Sequence, residues 1–131
     1  MRVLVVDDHE IMRNGLADML GMSEGLEIVG KAADGREAVE MASGLEPDVI
    51  LMDIGMEPMN GIEATRIIAE QHPEIRIIGL SVHEEGDLSE QMREAGAAAF
   101  VTKGAAIEKL LAAIRGEDEP SDGGSTQTTQ E

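Results

Sequence analysis

Short apolar runs alternate along the chain with stretches in which apolar residues recur every three or four positions. The runs are Val3 to Val6, Ile28 to Gly30, Val49 to Met52, Ile75 to Leu80 and Ala98 to Val101. They are continuous and rich in β-branched residues, the pattern of strands buried on both faces of a parallel sheet. Ile107, Leu110, Leu111 and Ile114 fall at i, i+3, i+4 and i+7, one apolar face of a helix. Ile11, Met12, Leu16, Met19 and Leu20 predict a second such face, and Ala38, Val39, Ala42 and Leu45 a third. Weaker periodicity over 62–70 and 88–95 completes five helices. Breakers separate the elements: Asp34-Gly35, Glu46-Pro47, Asn60-Gly61, His72-Pro73, Gly86, Ala95-Gly96 and Gly104. The order reads βαβαβαβαβα, which predicts an α/β domain: a five-stranded parallel sheet with helices on both faces.

The pattern stops after Gly116. Residues 117–131 contain no apolar side chain and are expected to form a disordered acidic and polar tail, leaving 1–116 as the folded domain. Length agrees, because 131 residues is one domain's worth of chain. Charge adds more. Ten Lys and Arg against 27 Asp and Glu leave a net −17. The tail accounts for only five of these charges, so residues 1–116 carry 22 acids against ten bases, or −12. Such a surface repels nucleic-acid phosphates and anionic membranes, so neither is an expected partner. The chain has no cysteine, which excludes disulfides, thiolate metal sites and Cys nucleophiles. No apolar stretch approaches a membrane span and no signal peptide opens the chain, so a cytoplasmic location is expected.

In an open parallel sheet, ligands bind at the carboxyl ends of the strands. Asp7-Asp8 follow the first apolar run, Asp53 the third, Ser81 the fourth and Lys103 the fifth. Three carboxylates, a hydroxyl and an ammonium therefore converge on one sheet edge. Clustered carboxylates repel and must share a cation or take up protons. An oxygen-only donor set favours magnesium or manganese over zinc. A carboxylate-held cation beside a lysine suits phosphoryl transfer, and an Asp can itself be the nucleophile.

These residues, in this order, resemble the receiver domain of bacterial two-component response regulators. Val5-Val6-Asp7-Asp8-His9 is similar to the family's acidic pair, and Leu51-Met52-Asp53 to its phosphoacceptor strand end. Met56 to Gly61 resembles the following loop, Leu80-Ser81 the hydroxyl position, and Ala95-Gly96-Ala97 the turn before the fifth strand. Phe100-Val101-Thr102-Lys103 completes the set. The resemblance implies a flavodoxin-like fold with strand order 2-1-3-4-5. It implies that Asp53 takes a phosphoryl group from a phosphohistidine on a sensor histidine kinase or phosphotransfer protein, with the protein catalysing its own phosphorylation and dephosphorylation. Asp8, Asp53 and the Gly55 carbonyl would ligate Mg²⁺ (or Mn²⁺), with Asp7 acting through water. Lys103 would pair with the phosphate, while Ser81 and Phe100 would form a switch that remodels the surface, including a phosphorylation-dependent homodimer. The chain departs from the family at Met56-Glu57-Pro58, where proline comes one place late, and at Lys103-Gly104, where no proline follows. Gly55 also leaves no side chain to shield an acyl phosphate from water.

Each of these residues also admits a blander role. Asp7-Asp8 could cap a helix, and Asp53 or Ser81 could be turn residues. Lys103 could be a solvated surface lysine and Phe100 plain core. His9 is read as a polar residue at a helix start, His83 as a loop residue, and the nine Met residues as core filler. Glu84, Glu85 and Asp87 read as a solvated helix start. Two other functions stay open: a phosphorylation-independent interaction module on the same fold, and a Mg²⁺-dependent phosphatase with an aspartyl nucleophile. The haloacid dehalogenase class of the latter needs a second Asp two residues on, where Gly55 stands. No DNA-binding output domain is expected in this stretch of chain, which reads as free-standing, as a fragment of a DNA-binding regulator, or as the terminal module of a hybrid kinase.

Overall fold

The computed structural model describes residues 1–55, 59–81, 86–104 and 107–117. Five strands and five helices alternate: β1 (Arg2–Val6), α1 (Glu10–Gly21), β2 (Glu27–Ala32), α2 (Gly35–Leu45), β3 (Val49–Asp53), α3 (Gly61–Gln71), β4 (Arg76–Ser81), α4 (Gly86–Ala95), β5 (Ala99–Thr102) and α5 (Ile107–Arg115). The strands form one parallel sheet, as the sequence pattern predicts, in the order β2-β1-β3-β4-β5 that the family resemblance implies.

Strand alternation divides the core into two layers. Leu4, Val6, Ile50, Met52 and Ile77 point to one face, packed against Ala38 and Ala42 of α2, Ala64 and Ile68 of α3 and Met92 of α4. Val3, Val5, Leu51, Ile78, Leu80 and Val101 point to the other, against Leu16 and Leu20 of α1 and Leu110 and Ile114 of α5. With a single aromatic in the chain, both layers are built from aliphatic side chains and Met. Local signals fix the helix ends. Asp34 caps α2 by accepting from the Glu37 N–H at 2.9 Å, and Asn60 and Glu63 form a reciprocal capping box on α3. The break at His72-Pro73 is seen as His72 ending α3. Gly96, at φ 123°, makes the left-handed turn into β5.

Two expectations need correction. Burial on both faces holds for β1, β3 and β4, whereas β2 is an edge strand and mostly half-exposed. Its apolar run read as interior because composition alone does not reveal which strand ends at the rim. The helix-face reading of α1 also fails in part. Leu16 and Leu20 are buried, but Ile11 is 89% exposed, and Met12 and Met19 also face solvent. Met22, just past the helix, is 82% exposed, so the methionines divide between core positions such as Met52 and Met92 and an apolar surface. No helix among the described residues is long and apolar enough to cross a membrane.

Candidate functional site

The same alternation that sorts the core assembles the site. Asp7 continues the Val3-Val5 side of β1, Asp53 the Leu51 side of β3, and Lys103 the Val101 side of β5, so all three point to the α1/α5 face at the carboxyl edge. Parallel pairing brings Val6 beside Met52 and Asp53 beside Leu80. The Lys103 side chain spans the remaining gap across β4. Its Nζ lies 2.8 Å from Asp7 Oδ2 and 3.2 Å from Asp53 Oδ1.

All three side chains are nearly sealed from water: Asp7 fully, Asp53 and Lys103 almost so. Asp7 Oδ1 accepts the His9 N–H at 2.9 Å. Asp7 Oδ2 accepts no aligned hydrogen bond although the ammonium is close, which leaves a buried oxygen lone pair available to a cation. The Gly55 N–H approaches Asp53 Oδ1 at 3.4 Å. Asp8 stands outside this buried trio, about a third exposed, with Oδ1 3.0 Å from His9 Nδ1.

The electrostatics separate the two buried acids. Burial works against the Asp7 carboxylate, but the Lys103 ammonium and the His9 N–H hold its pKa below the usual carboxylate value. Asp53 goes the other way. Burial first and the Asp7 charge second push it up, and Lys103 offsets only part of this. Burial also opposes the Lys103 charge, yet the two carboxylates keep its pKa above that of an ordinary lysine. Two carboxylates and one ammonium thus leave surplus negative charge in a site with little water, a demand a divalent cation meets. Asp7, Asp8, His9 and Asp53 each offer one ligand atom, and these atoms all lie within 4.8 Å of one another. That donor set fits a hard or borderline divalent cation.

The bland reading of Asp7-Asp8 as a helix cap is not what the structure shows. The N-cap of α1 is His9, and its side chain makes no capping bond. Lys103 is not a solvated surface lysine either, since its side chain is nearly buried in the ion pairs. Ser81 ends β4, is buried, and sits opposite Thr102, with the Lys103 N–H donating to its carbonyl at 2.7 Å. Phe100 is half-buried beside Gly79, two residues before Ser81 on the same strand face. A Cβ at Gly79 would come within 2.9 Å of the Phe100 ring and 2.8 Å of Met92 Cε. Gly55 is exposed, and a Cβ there would meet nothing within 4 Å. The loop at Met56-Glu57-Pro58, His83, Glu84 and Glu85, the side chain of Asp87 and the tail from 118 onward lie outside the described residues.

Sequence reasoning passed over two residues. His9, read from the sequence as a polar residue at a helix start because a lone His carries no metal-site signature, lies among the candidate ligand atoms. Gly61 supports the end of β3: its N–H donates to Ile54 O at 2.9 Å, and a Cβ there would run into the Asp53 carbonyl. The Asn-Gly dipeptide was legible only as a turn.

The family profile described as "Response regulator receiver domain" matches residues 3–115. The chain belongs to the response regulator receiver family. Among curated proteins, it is 44% identical over 115 residues to response regulator GacA of Pseudomonas viridiflava, covering 88% of this chain and 54% of that protein. Response regulator UvrY of Escherichia coli K12 is 42% identical over the same length, with 88% and 53% covered. The chain therefore spans about half the length of the curated relatives it matches. Among solved structures, the response regulator domain of Thermotoga maritima CheB superposes with a TM-score of 0.82 at 40% identity, covering 92% of this chain and 98% of that one. The Borrelia burgdorferi CheX-CheY-BeF₃-Mg²⁺ complex gives 0.81 at 30% identity, covering 88% and 87%. Receiver domains generally bind Mg²⁺ at an acidic pocket, and Asp7, Asp8 and Asp53 form an acidic cluster here.

Proposed function

We propose that this receiver domain accepts a phosphoryl group on Asp53, in a Mg²⁺-dependent reaction, from a phosphohistidine on a sensor histidine kinase or phosphotransfer protein. The observation that carries this reading is the contact of Lys103 Nζ with both Asp7 and Asp53 inside a cluster of three carboxylates. Asp8, Asp53 and the Gly55 carbonyl would hold the metal, with Asp7 reaching it through water. Mg²⁺ would supply charge neutralisation for the transferred oxygens, and Mn²⁺ could substitute. An Asp53 carboxylate oxygen forms the new O–P bond as the N–P bond of the phosphohistidine breaks, its electron pair passing to the imidazole nitrogen. Lys103 turns from its two carboxylates toward the phosphoryl oxygens. Water later cleaves the acyl phosphate, and Gly55 offers it no side-chain obstruction. The CheY relative solved with Mg²⁺ and BeF₃, a tetrahedral stand-in for a phosphoryl group, supports the same use of this pocket.

Ser81 and Phe100 form the readout. Ser81 turns to a phosphoryl oxygen, and the half-buried Phe100 ring moves into the space beside it, changing the surface that a partner or second copy meets. The signalling domain is residues 1–116, with 117–131 as a tail: α5 stops at Arg115 and Gly116 leaves the helix at φ 75°. With its excess of acid, this domain does not bind nucleic acid or membrane, and it works in the cytoplasm.

The test is incubation with Mg²⁺ and acetyl phosphate followed by intact mass measurement. A single phosphoryl adduct on wild type and none on Asp53→Asn is the expected result. An unmodified wild type would identify a phosphorylation-independent module, and rapid turnover of varied phosphoesters would identify a phosphatase.

A further inference from the structure

His9 stands where α1 begins, yet its side chain does nothing for the helix. Ser, Thr, Asp and Asn are the usual N-caps because their side chains accept from the first free N–H groups. His9 makes no such bond. Its ring instead turns back over the strand end, with Nδ1 3.0 Å from Asp8 Oδ1 and 3.3 Å from Asp7 Oδ1. Metal–ligand bonds of about 2.1 Å at right angles put neighbouring donor atoms about 3.0 Å apart. The His9–Asp8 separation therefore matches adjacent corners of one coordination sphere. Asp53 supplies the fourth atom within the same 4.8 Å cluster. His9 is also 73% exposed, so an ion reaches it from solvent without rearrangement of the core.

Building on the acidic pocket as a cation site, we propose that His9 Nδ1 is a direct ligand, so that the pocket favours a borderline transition ion (Co²⁺ or Ni²⁺) through mixed nitrogen and oxygen donors, with the same nitrogen reaching Mn²⁺ when that ion is bound. Imidazole nitrogen contributes little to Mg²⁺, which prefers oxygen, and much to the later first-row ions. His9 occupies a corner that an oxygen-only protein set leaves to water. The receiver pocket of this chain thereby becomes responsive to the identity of the available metal.

Pulsed EPR of the full chain loaded with Mn²⁺ tests this, alongside calorimetric titrations with Mg²⁺ and Ni²⁺. The expected results are a directly coupled ¹⁴N in wild type and its loss in His9→Ala, which separates His9 from His72 and His83. His9→Ala should also lower Ni²⁺ affinity by at least about tenfold while leaving Mg²⁺ affinity within about twofold. Normal Mg²⁺ and Mn²⁺ binding without nitrogen coupling, or with coupling that persists in His9→Ala, overturns the role of His9 alone. Failure of all three ions to bind overturns the acidic cation site as well.

Discussion

Asp7 and Asp53 share one ammonium, and their surroundings drive them apart. Asp53 titrates above 3.8 in the folded chain. Its ionised form therefore costs stability at neutral pH, and that cost fades as pH falls through its folded pKa. Asp7 titrates below 3.8. Its carboxylate contributes stability above that value, and the contribution is lost as pH falls through its folded pKa. Removing the Asp53 charge should thus stabilise the metal-free protein. Asp53→Asn is expected to raise the melting temperature in chelator at pH 7 by a few degrees, about what 1 kcal/mol does in a domain of this size. The gain should shrink as the pH is lowered toward the carboxylate range. Circular dichroism melts check it, and a lower melting temperature at pH 7 would mean that the Asp53–Lys103 attraction outweighs burial and repulsion. Saturating Mg²⁺ should reverse the order, because wild type gains about 2.7 kcal/mol at a hundred times Kd and the variant less. The convergence of Asp7, Asp53 and Lys103 was legible in the sequence because strand ends of a parallel sheet share an edge. That Asp7 is the most deeply buried of them was not, since burial depends on how the surrounding elements pack.

At the scale of elements, the sites that tolerate least are those where backbone meets backbone. Gly61 opens α3 against the Asp53 carbonyl. A flexible side chain could move aside for a Cβ, but a strand end held by the Ile54–Leu80 backbone bond at 3.1 Å cannot do so cheaply. Gly61→Ala is expected to destabilise the fold by about 2 kcal/mol, within the usual range for overpacking, and to weaken Mg²⁺ binding. Urea unfolding and metal titration measure the two effects. α1 makes a different point. Periodicity reported its apolar positions correctly and misjudged which were covered, because a hydrophobic face is also what a docking surface looks like. Ile11 and Met12 lie one turn from Asp8, beside a cleft that Met12 and Met19 line together with Thr102 and Lys103. Ile11→Asp is expected to slow phosphotransfer from a phosphohistidine protein at least about tenfold, in line with the loss of an interface anchor. Phosphorylation by acetyl phosphate, which needs no docking, should be unchanged. Equal rates from both donors would exclude this face from docking.

The whole molecule carries −17, and self-repulsion on that scale weakens a compact state. Raising the ionic strength from a few millimolar to about 0.15 M, where the Debye length is about 8 Å, should raise the melting temperature of the metal-free protein. A chain ending at Gly116 should show nearly the same salt response, since residues 1–116 retain −12. A response confined to the full chain would place the repulsion in the tail. The fold was legible at this scale from the strict β–α alternation, while which strands form the rim depends on the order β2-β1-β3-β4-β5. The proposed function depends on Asp53 carrying the phosphoryl group. Treatment with acetyl phosphate, then borohydride, and peptide mapping tests this most directly, because borohydride converts an aspartyl phosphate to homoserine. Homoserine at position 53, dependent on Mg²⁺ and absent after chelation, is the expected result. Phosphate on another residue, or none at 53 with Mg²⁺ present, would contradict it.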